Sequence, residues 1–347
     1  MNPKLVSYLR GALIALLGVG VALLVHLPLP WMLGALLATA AARIAGWPAG
    51  IGCPSRTRNV GQWVIGASLG LYFTPAVFQL IGENLGLIVA GMGFSLLLAV
   101  LGTVIYCHLG RLDFRTAWFS SAIGGAAEMS VLAERNGARV DFVVTSHSVR
   151  LLLVVSMVPL LFQWLDIHGQ DPSAQLVRDF NGWGFVNLVV LTALAGFLFD
   201  RLNISNAWVL GPLCAVILVS RLELPLSAMP EMVSRAGQFM IGWSLGNKYR
   251  REFFQVAPRF LLSVVLFSVL SVALAFLFGL LAARVSVIPA PTLILGTTPG
   301  GIAEMAITAK VLQLGVPVVT AFHTTRMIFV VLVTGPLYHW LCRRYPL

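Results

Sequence analysis

Charge is scarce in this chain of 347 residues: 10% of it is charged and 58% hydrophobic. A soluble protein of that size carries roughly 25% charged residues. The apolar stretches exceed what one soluble core could bury, which excludes a soluble globular fold and implies a polytopic membrane protein. Acidic residues are rarer than basic ones, 13 against 23, leaving a net charge of +10. That excess would suit nucleic acid, but no basic run is long enough for a binding arm. Arg and Lys cluster in short loops between apolar segments, where they set topology. The four cysteines, Cys53, Cys107, Cys214 and Cys342, lie far apart. No C-x-x-C pair occurs, so neither a zinc site nor a disulfide framework is indicated. No G-x-x-x-x-G-K-[ST] occurs either, so ATP is not the direct energy source. No metal, cofactor or enzymatic activity is expected.

What the chain does have is an internal repeat. Shifted by 176 residues, Gly124-Gly125-Ala126-Ala127-Glu128-Met129 returns as Gly300-Gly301-Ile302-Ala303-Glu304-Met305. His147 and Arg150 return as His323 and Arg326, and Gln62, Gly66, Ser68 and Gly70 as Gln238, Gly242, Ser244 and Gly246. One residue further on, Trp31-Met32-Leu33-Gly34 matches Trp208-Val209-Leu210-Gly211, and Pro48 matches Pro225. Only seven Glu and six His exist in the chain, and two of each fall on matching positions. A repeat of this kind is a first-order fold signal.

Apolar segments run near 8–26, 31–46, 59–80, 85–107, 116–133 and 141–165, and again near 183–200, 207–220, 232–247, 258–283, 290–312 and 316–342. The first could imitate a signal peptide, with Lys4 and Arg10 ahead of the run from Gly11 to Val25. No small-residue cleavage site follows, and Pro28, Pro30 and Trp31 lead into another apolar segment, so a first transmembrane helix is predicted. The longest polar stretch, with Pro172 and Ser173, separates the halves. The expected organisation is a first repeat over 1–165, a linker over 166–181 and a second repeat over 182–347.

Loop charge orients the halves. Arg43, Arg56 and Arg58 precede the third segment, and Arg111 and Arg115 follow the fourth. In the second half Lys248, Arg250, Arg251 and Arg259 follow the third segment, where the matching loop of the first half holds only Glu83. The bias has changed sides, so the positive-inside rule makes the repeats inverted. Inversion needs an odd number of crossings, and the Gly-Gly segment is the one expected not to cross intact. Ser120-Ser121 and Thr297-Thr298-Pro299 precede the glycines, a small, polar, turn-prone run. Lipid cannot satisfy a broken backbone, so such a break lines a cavity or is buried in protein. The fold class is therefore an all-α polytopic membrane protein of two inverted repeats, each with about five crossing helices plus one broken or re-entrant segment.

Glu128 and Glu304 fall in the first turn of whatever helix follows the glycines. There a carboxylate either caps free backbone N–H groups or carries a proton or cation at midplane. His147 and Arg150 share one helix face, as do His323 and Arg326. Each pair snorkels to the interface, or binds a substrate carboxylate, or pairs Arg150 with Glu128 and Arg326 with Glu304. Gly66-x-x-x-Gly70 and Gly242-x-x-x-Gly246 read as close helix packing. Gln62 and Gln238 remain candidates as neutral ligands.

The Trp-x-Leu-Gly segment, the duplicated Gly-Gly-x-Ala-Glu-Met motif and the twofold repeat resemble the AbrB duplication family of bacterial membrane proteins, over essentially the whole chain. That family also carries the labels ammonia monooxygenase and regulator of gene expression. It looks like a distant relative of inverted-repeat secondary transporters, including cation/proton antiporters and bile-acid-type symporters. The resemblance implies crossed or re-entrant elements at midplane. The residues weigh its labels. A copper or iron monooxygenase needs clustered ligands, and His26, His108, His147, His168, His323 and His339 show no H-x-x-H spacing. His147 and His323 could meet across the pseudo-twofold, but two ligands are few. No DNA-binding module is present, so an effect on expression would be indirect. The expectation is a secondary transporter in the bacterial inner membrane. It would bind a small solute and a coupling ion, proton or sodium, at Gly124, Gly125, Glu128, Gly300, Gly301 and Glu304, with His147, Arg150, His323, Arg326, Gln62 and Gln238 as further candidates. Its partners are the lipid bilayer and, admissibly, a second copy of the chain. The alternative is a membrane sensor or regulator.

Overall fold

The computed structural model describes residues 3–46, 51–169, 180–221, 227–249 and 258–344. Pro48, Pro225, Pro172, Ser173, Arg250 and Arg251 lie outside the described residues. The described residues form helices and connecting turns, with no strand among them.

The first repeat contributes α1 (Pro3–Leu24), a π-helical turn (Pro30–Gly34) leading into α2 (Ala35–Ala45), α3 (Thr57–Gly70), α4 (Pro75–Glu83), α5 (Leu85–His108), α6 (Phe114–Ser121), α7 (Ala126–Arg135) and α8 (Val140–Trp164). The second contributes α9 (Gly182–Arg201), α10 (Ala207–Arg221), α11 (Glu231–Gly246), α12 (Pro258–Ala282), α13 (Ala290–Thr297), α14 (Ile302–Val311) and α15 (Val316–Arg344). Local chemistry sets several boundaries. Asp113 caps α6 by accepting from the Thr116 amide at 3.0 Å, and Asn181 caps α9 from its side chain. Gly46, at φ 71°, ends α2 in the left-handed conformation that a glycine adopts without strain.

Six described helices are long and apolar enough to cross a bilayer: α1, α5, α8, α9, α12 and α15, three from each repeat. The protein is a multi-pass, all-α membrane protein. Helices α2, α3, α10 and α11 have 11, 14, 15 and 16 residues. At 1.5 Å per residue they span roughly 17–24 Å, short of a hydrocarbon core of about 30 Å. One expected segment, 59–80, is split. The chain leaves α3 at residues 71–74 and restarts at Pro75, because a proline disfavours helical geometry at Thr74 and itself suits a first helical turn.

The chain forms two compact units, each drawing on both repeats. Unit 1 holds Met1–Gln79, Pro159–Arg251 and Ala306–Pro317; unit 2 holds Leu80–Val158, Glu252–Met305 and Val318–Leu347. In unit 1 the equivalent helices α3 and α11 cross antiparallel. Gly61, early in α3, lies on Gly237 and Ile241, whereas Ser68, late in α3, has its Oγ 3.5 Å from that of Ser234, early in α11. The duplicated glycines make exchanged contacts. Gly66 and Gly70 face Val209, Leu213 and Val216 of α10, while Gly242 and Gly246 face Met32, Leu36 and Thr39 of the π turn and α2. Each pairing is the other moved by one repeat, so the small residues let backbones of opposite repeats approach.

Unit 2 repeats the pattern. α5 and α12 are equivalent and antiparallel: Tyr106, late in α5, meets Phe260 and Phe267, while Phe94, early in α5, stacks on Phe278 at 4.6 Å. Arg111, just past α5, and Arg259, starting α12, therefore share one end. With Arg139, Phe142 and Pro258 they line an open cavity of about 430 Å³. In unit 1 the antiparallel crossing likewise brings Arg56 and Arg58 to the same end as Lys248. The basic loops of opposite repeats gather together, as inverted repeats under the positive-inside rule require.

Two predictions follow from this packing. A Cβ at Gly66 or Gly242 would press on a backbone carbonyl, whereas nothing lies within 4 Å of Gly20 or Gly93. Gly66→Leu and Gly242→Leu should each destabilise by about 1–3 kcal/mol or more, read as a lower thermal midpoint in detergent, with Gly20→Leu and Gly93→Leu near wild type. Equal midpoints for all four would contradict the packing. In a cysteine-free background, Ser55→Cys and Met232→Cys, exposed at the N-terminal ends of α3 and α11, should react with an impermeant thiol reagent from opposite faces of the membrane. Reaction from one face only would contradict the inversion.

Candidate functional site

Both Gly-Gly segments are broken helices. α6 stops at Ser121, residues Ala122 (ψ 133°) and Gly125 (ψ 141°) are extended, and α7 starts at Ala126. α13 stops at Thr297, Thr298 is extended (ψ 139°), and α14 starts at Ile302. Pro299 lacks the N–H that a continuing helix needs, and glycine is a poor helix former. Each break leaves the last carbonyls of its first half-helix without helical partners. In a membrane segment no bulk water takes their place.

The His–Arg pairs satisfy those carbonyls. Arg150 donates to Ser121 O and Ala122 O, both at 3.1 Å, and His147 Nε2 lies 3.1 Å from Ala122 O. Arg326 donates to Thr298 O and Gly300 O, both at 2.7 Å, and to His323 Nδ1 at 2.9 Å. Because Arg is always the donor, His323 Nδ1 accepts and its Nε2–H donates to Leu295 O at 3.0 Å. The planar guanidinium fork suits two neighbouring carbonyls as no ammonium does. All four side chains are buried, Arg150 at 4% and Arg326 at 6% exposure, so neither arginine snorkels to an interface.

Further bonds fix the surroundings. Ser121 Oγ reaches Ala99 O of α5 at 2.8 Å. Ser146 Oγ donates to Ser120 O and accepts from the Tyr106 hydroxyl, both at 3.0 Å. Trp118 Nε1 donates to Thr334 O of α15 at 3.1 Å.

The geometry also decodes the Gly-Gly-x-Ala-Glu-Met motif. Glu128 and Glu304 stand in the first turn of α7 and α14 and fold back over the break, as a capping carboxylate does. A Cβ on Gly125 would collide with Glu128 Oε2, and one on Gly301 with Glu304 Oε2. The first glycine makes room for the methionine: Met129 lies under Gly124 and Met305 under Gly300, and both methionines are fully buried. The two copies differ in one respect. Glu304 is 3% exposed and α14 is buried from Ile302 to Ala309, whereas Glu128 is partly exposed and Ala126, Ala127 and Glu134 are exposed.

Gln62 and Gln238 are buried on α3 and α11 of unit 1 beside the Gly61–Gly237 crossing. The breaks, both glutamates and both His–Arg pairs belong to unit 2. Sequence reasoning missed Lys310, on α14, because it has no duplicate; the shift carries it onto Glu134. That reversal of charge was the signal available. Among the described residues no three His, Cys, Asp or Glu side chains converge as metal ligands.

Comparison with known proteins bears on both copies of the site. The family described as Transition state regulatory protein AbrB matches residues 31–342, which take in both breaks and both His–Arg pairs. "Uncharacterized protein YhjN" of Bacillus subtilis (strain 168) is 25% identical over 334 residues, covering 90% of this chain and 87% of that protein. "Putative regulator AbrB" of Escherichia coli (strain K12) is 25% identical over 324 residues, covering 90% of each. The similarity extends across both repeats.

The carbonyl-capping role predicts that Arg150→Gln and Arg326→Gln each lower stability by about 1–3 kcal/mol, since buried carbonyls lose their donors. Thermal unfolding of the purified variants checks this; midpoints equal to wild type would contradict the assignment.

Proposed function

The chain belongs to the AbrB family, and for this member we propose secondary transport of a small solute, coupled to a proton or sodium gradient, in the bacterial inner membrane. The observation that carries the reading is the pair of glutamates at repeat-equivalent breaks, one buried and one partly exposed. An ionisable group inside a membrane protein is expensive and functional by default. Discontinuous helices inside inverted repeats are where secondary transporters bind substrate and ion. The unequal burial of Glu128 and Glu304 supports a cycle in which the repeats exchange environments, opening the site to one side and then the other. In this reading the backbone at Gly124-Gly125 and Gly300-Gly301 meets the solute. Glu128 and Glu304 carry the coupling ion. The His–Arg pairs hold the breaks open, and no bond is made or broken in the solute.

A second reading is favoured by the family's description as a regulatory protein and by the name of the Escherichia coli relative, a regulator. A membrane sensor would bind the same solute and pass the signal to a partner without moving it. Reconstitution separates the two: a transporter carries at least one solute of a panel into vesicles under an imposed pH or sodium gradient, and a sensor carries none.

Replacing a glutamate by Gln keeps its shape and much of its hydrogen bonding but removes the titrating charge. If the carboxylates only cap, each variant loses about 1 kcal/mol of stability and transports normally. The coupling role predicts normal folding and loss of gradient-driven flux in at least one of Glu128→Gln and Glu304→Gln. Gradient-dependent uptake at wild-type rates in both variants would overturn it.

A further inference from the structure

Lys310 lies on α14, the half-helix that starts at the second break, and belongs to unit 1, as Ser68, Tyr72 and Ser234 do. Its ammonium donates to Ser68 Oγ at 3.0 Å and to Ser234 Oγ at 3.4 Å, and stands 5.7 Å from the centre of the Tyr72 ring. These three residues come from α3, α11 and the turn after α3. We propose that Lys310, Ser68 and Ser234, walled by Tyr72, form a binding site for the carboxylate of a small organic anion, one per chain.

Charge is the first argument. Lys310 is partly buried, and among the described residues its hydrogen-bond partners are neutral hydroxyls. The nearest acidic influence is Glu231, whose Oε1 is bonded by Arg235. Neutral oxygens do not cancel a buried ammonium charge, whereas an anionic ligand does.

Geometry is the second. A hydroxyl that accepts from an ammonium still has a proton to donate. Ser68 and Ser234 stand 3.5 Å apart, where one hydroxyl can donate to the other, so the ammonium and at least one free O–H converge, which matches the two oxygens of a carboxylate. The aromatic wall suits the apolar body such an anion carries. A phosphate would call for Arg forks and more positive charge than one lysine supplies against the field of Glu231.

Asymmetry is the third. The 176-residue shift carries Lys310 onto Glu134, Ser234 onto Arg58 and Tyr72 onto Lys248, and only Ser68 keeps its type, at Ser244. The glycines, the Trp-x-Leu-Gly segments and the His–Arg pairs are duplicated because both repeats need them to pack. This cluster is not, so symmetry of packing does not account for it, and one site per chain follows.

The inference rests on the transport reading only for the claim that the bound anion is carried. Its test is therefore a binding experiment. The full-length protein in detergent is titrated by calorimetry with acetate, lactate, pyruvate, glutarate and benzoate, with the neutral amide of each, and with chloride and phosphate. At least one carboxylate should bind while its amide does not. Lys310→Met should weaken that binding by at least about tenfold, with Lys310→Arg weakening it less. Ser68→Ala and Ser234→Ala should each weaken it by roughly threefold to tenfold and keep the test decisive if Lys310→Met fails to fold. The proposal is overturned if no carboxylate of the panel binds, if these variants bind as wild type does, or if only chloride or phosphate depends on Lys310. Lys310-dependent carboxylate binding without gradient-driven flux would leave this site standing and remove the transport reading. Unaltered carboxylate flux in Lys310→Met would do the reverse.

Discussion

A backbone carbonyl inside a membrane must find a donor, and the breaks at Ala122–Gly125 and Thr298–Gly301 turn that requirement into an architecture. Each break exposes the carbonyl end of a half-helix, and each is met by a guanidinium from the long helix after the second half-helix, α8 or α15, 28 residues along the chain. The arginines can be charged and buried because they bond the negative ends of helix dipoles. Without the breaks there is no reason to bury two arginines; without the arginines the carbonyls of the breaks lose their donors. The glutamates at the opposite ends of the same breaks complete the arrangement, since the second half-helix presents free N–H groups where the first presents carbonyls.

Within each unit the fold pairs the two repeats while letting them differ. Antiparallel pairs of equivalent helices, α3 with α11 and α5 with α12, put like parts of the two repeats face to face. Small residues at Gly61, Gly237, Gly66 and Gly242 bring backbones together without interlocking long side chains. The same sequence motif then sits in two environments, with Glu304 buried and Glu128 partly exposed. That inequality within a duplicated design is the structural feature most directly tied to the transport reading.

Much of this was legible in the residues, for identifiable reasons. Gly-Gly preceded by Ser-Ser or Thr-Thr-Pro is a local signal, so the breaks could be placed to within a few positions. Loop charge reports on the membrane rather than on packing, so the inverted relation of the repeats could be read without coordinates. The partners of the His–Arg pairs were not legible: i, i+3 spacing puts the side chains on one face but says nothing of what lies opposite, and carbonyl oxygens carry no sequence signature. The π turn at Pro30–Gly34 and the interruption before Pro75 were missed because an apolar run conceals a change of helical pitch or a short turn. Lys310 was missed because a search for duplicated residues discards the one that differs.

The most direct test of the account is the reactivity of equivalent positions in the two breaks. Ala127 is exposed, and its counterpart Ala303 is 2% exposed. Single cysteines at these positions, in a cysteine-free protein reconstituted in vesicles, can be probed with an impermeant thiol reagent from each side while the ion gradient is reversed. Alternating access predicts that Ala127→Cys reacts from one side only, Ala303→Cys from the other side only, and that reversing the gradient moves reactivity from one position to the other. Reactivity at Ala127→Cys that ignores the gradient, with Ala303→Cys inert throughout, would contradict the account.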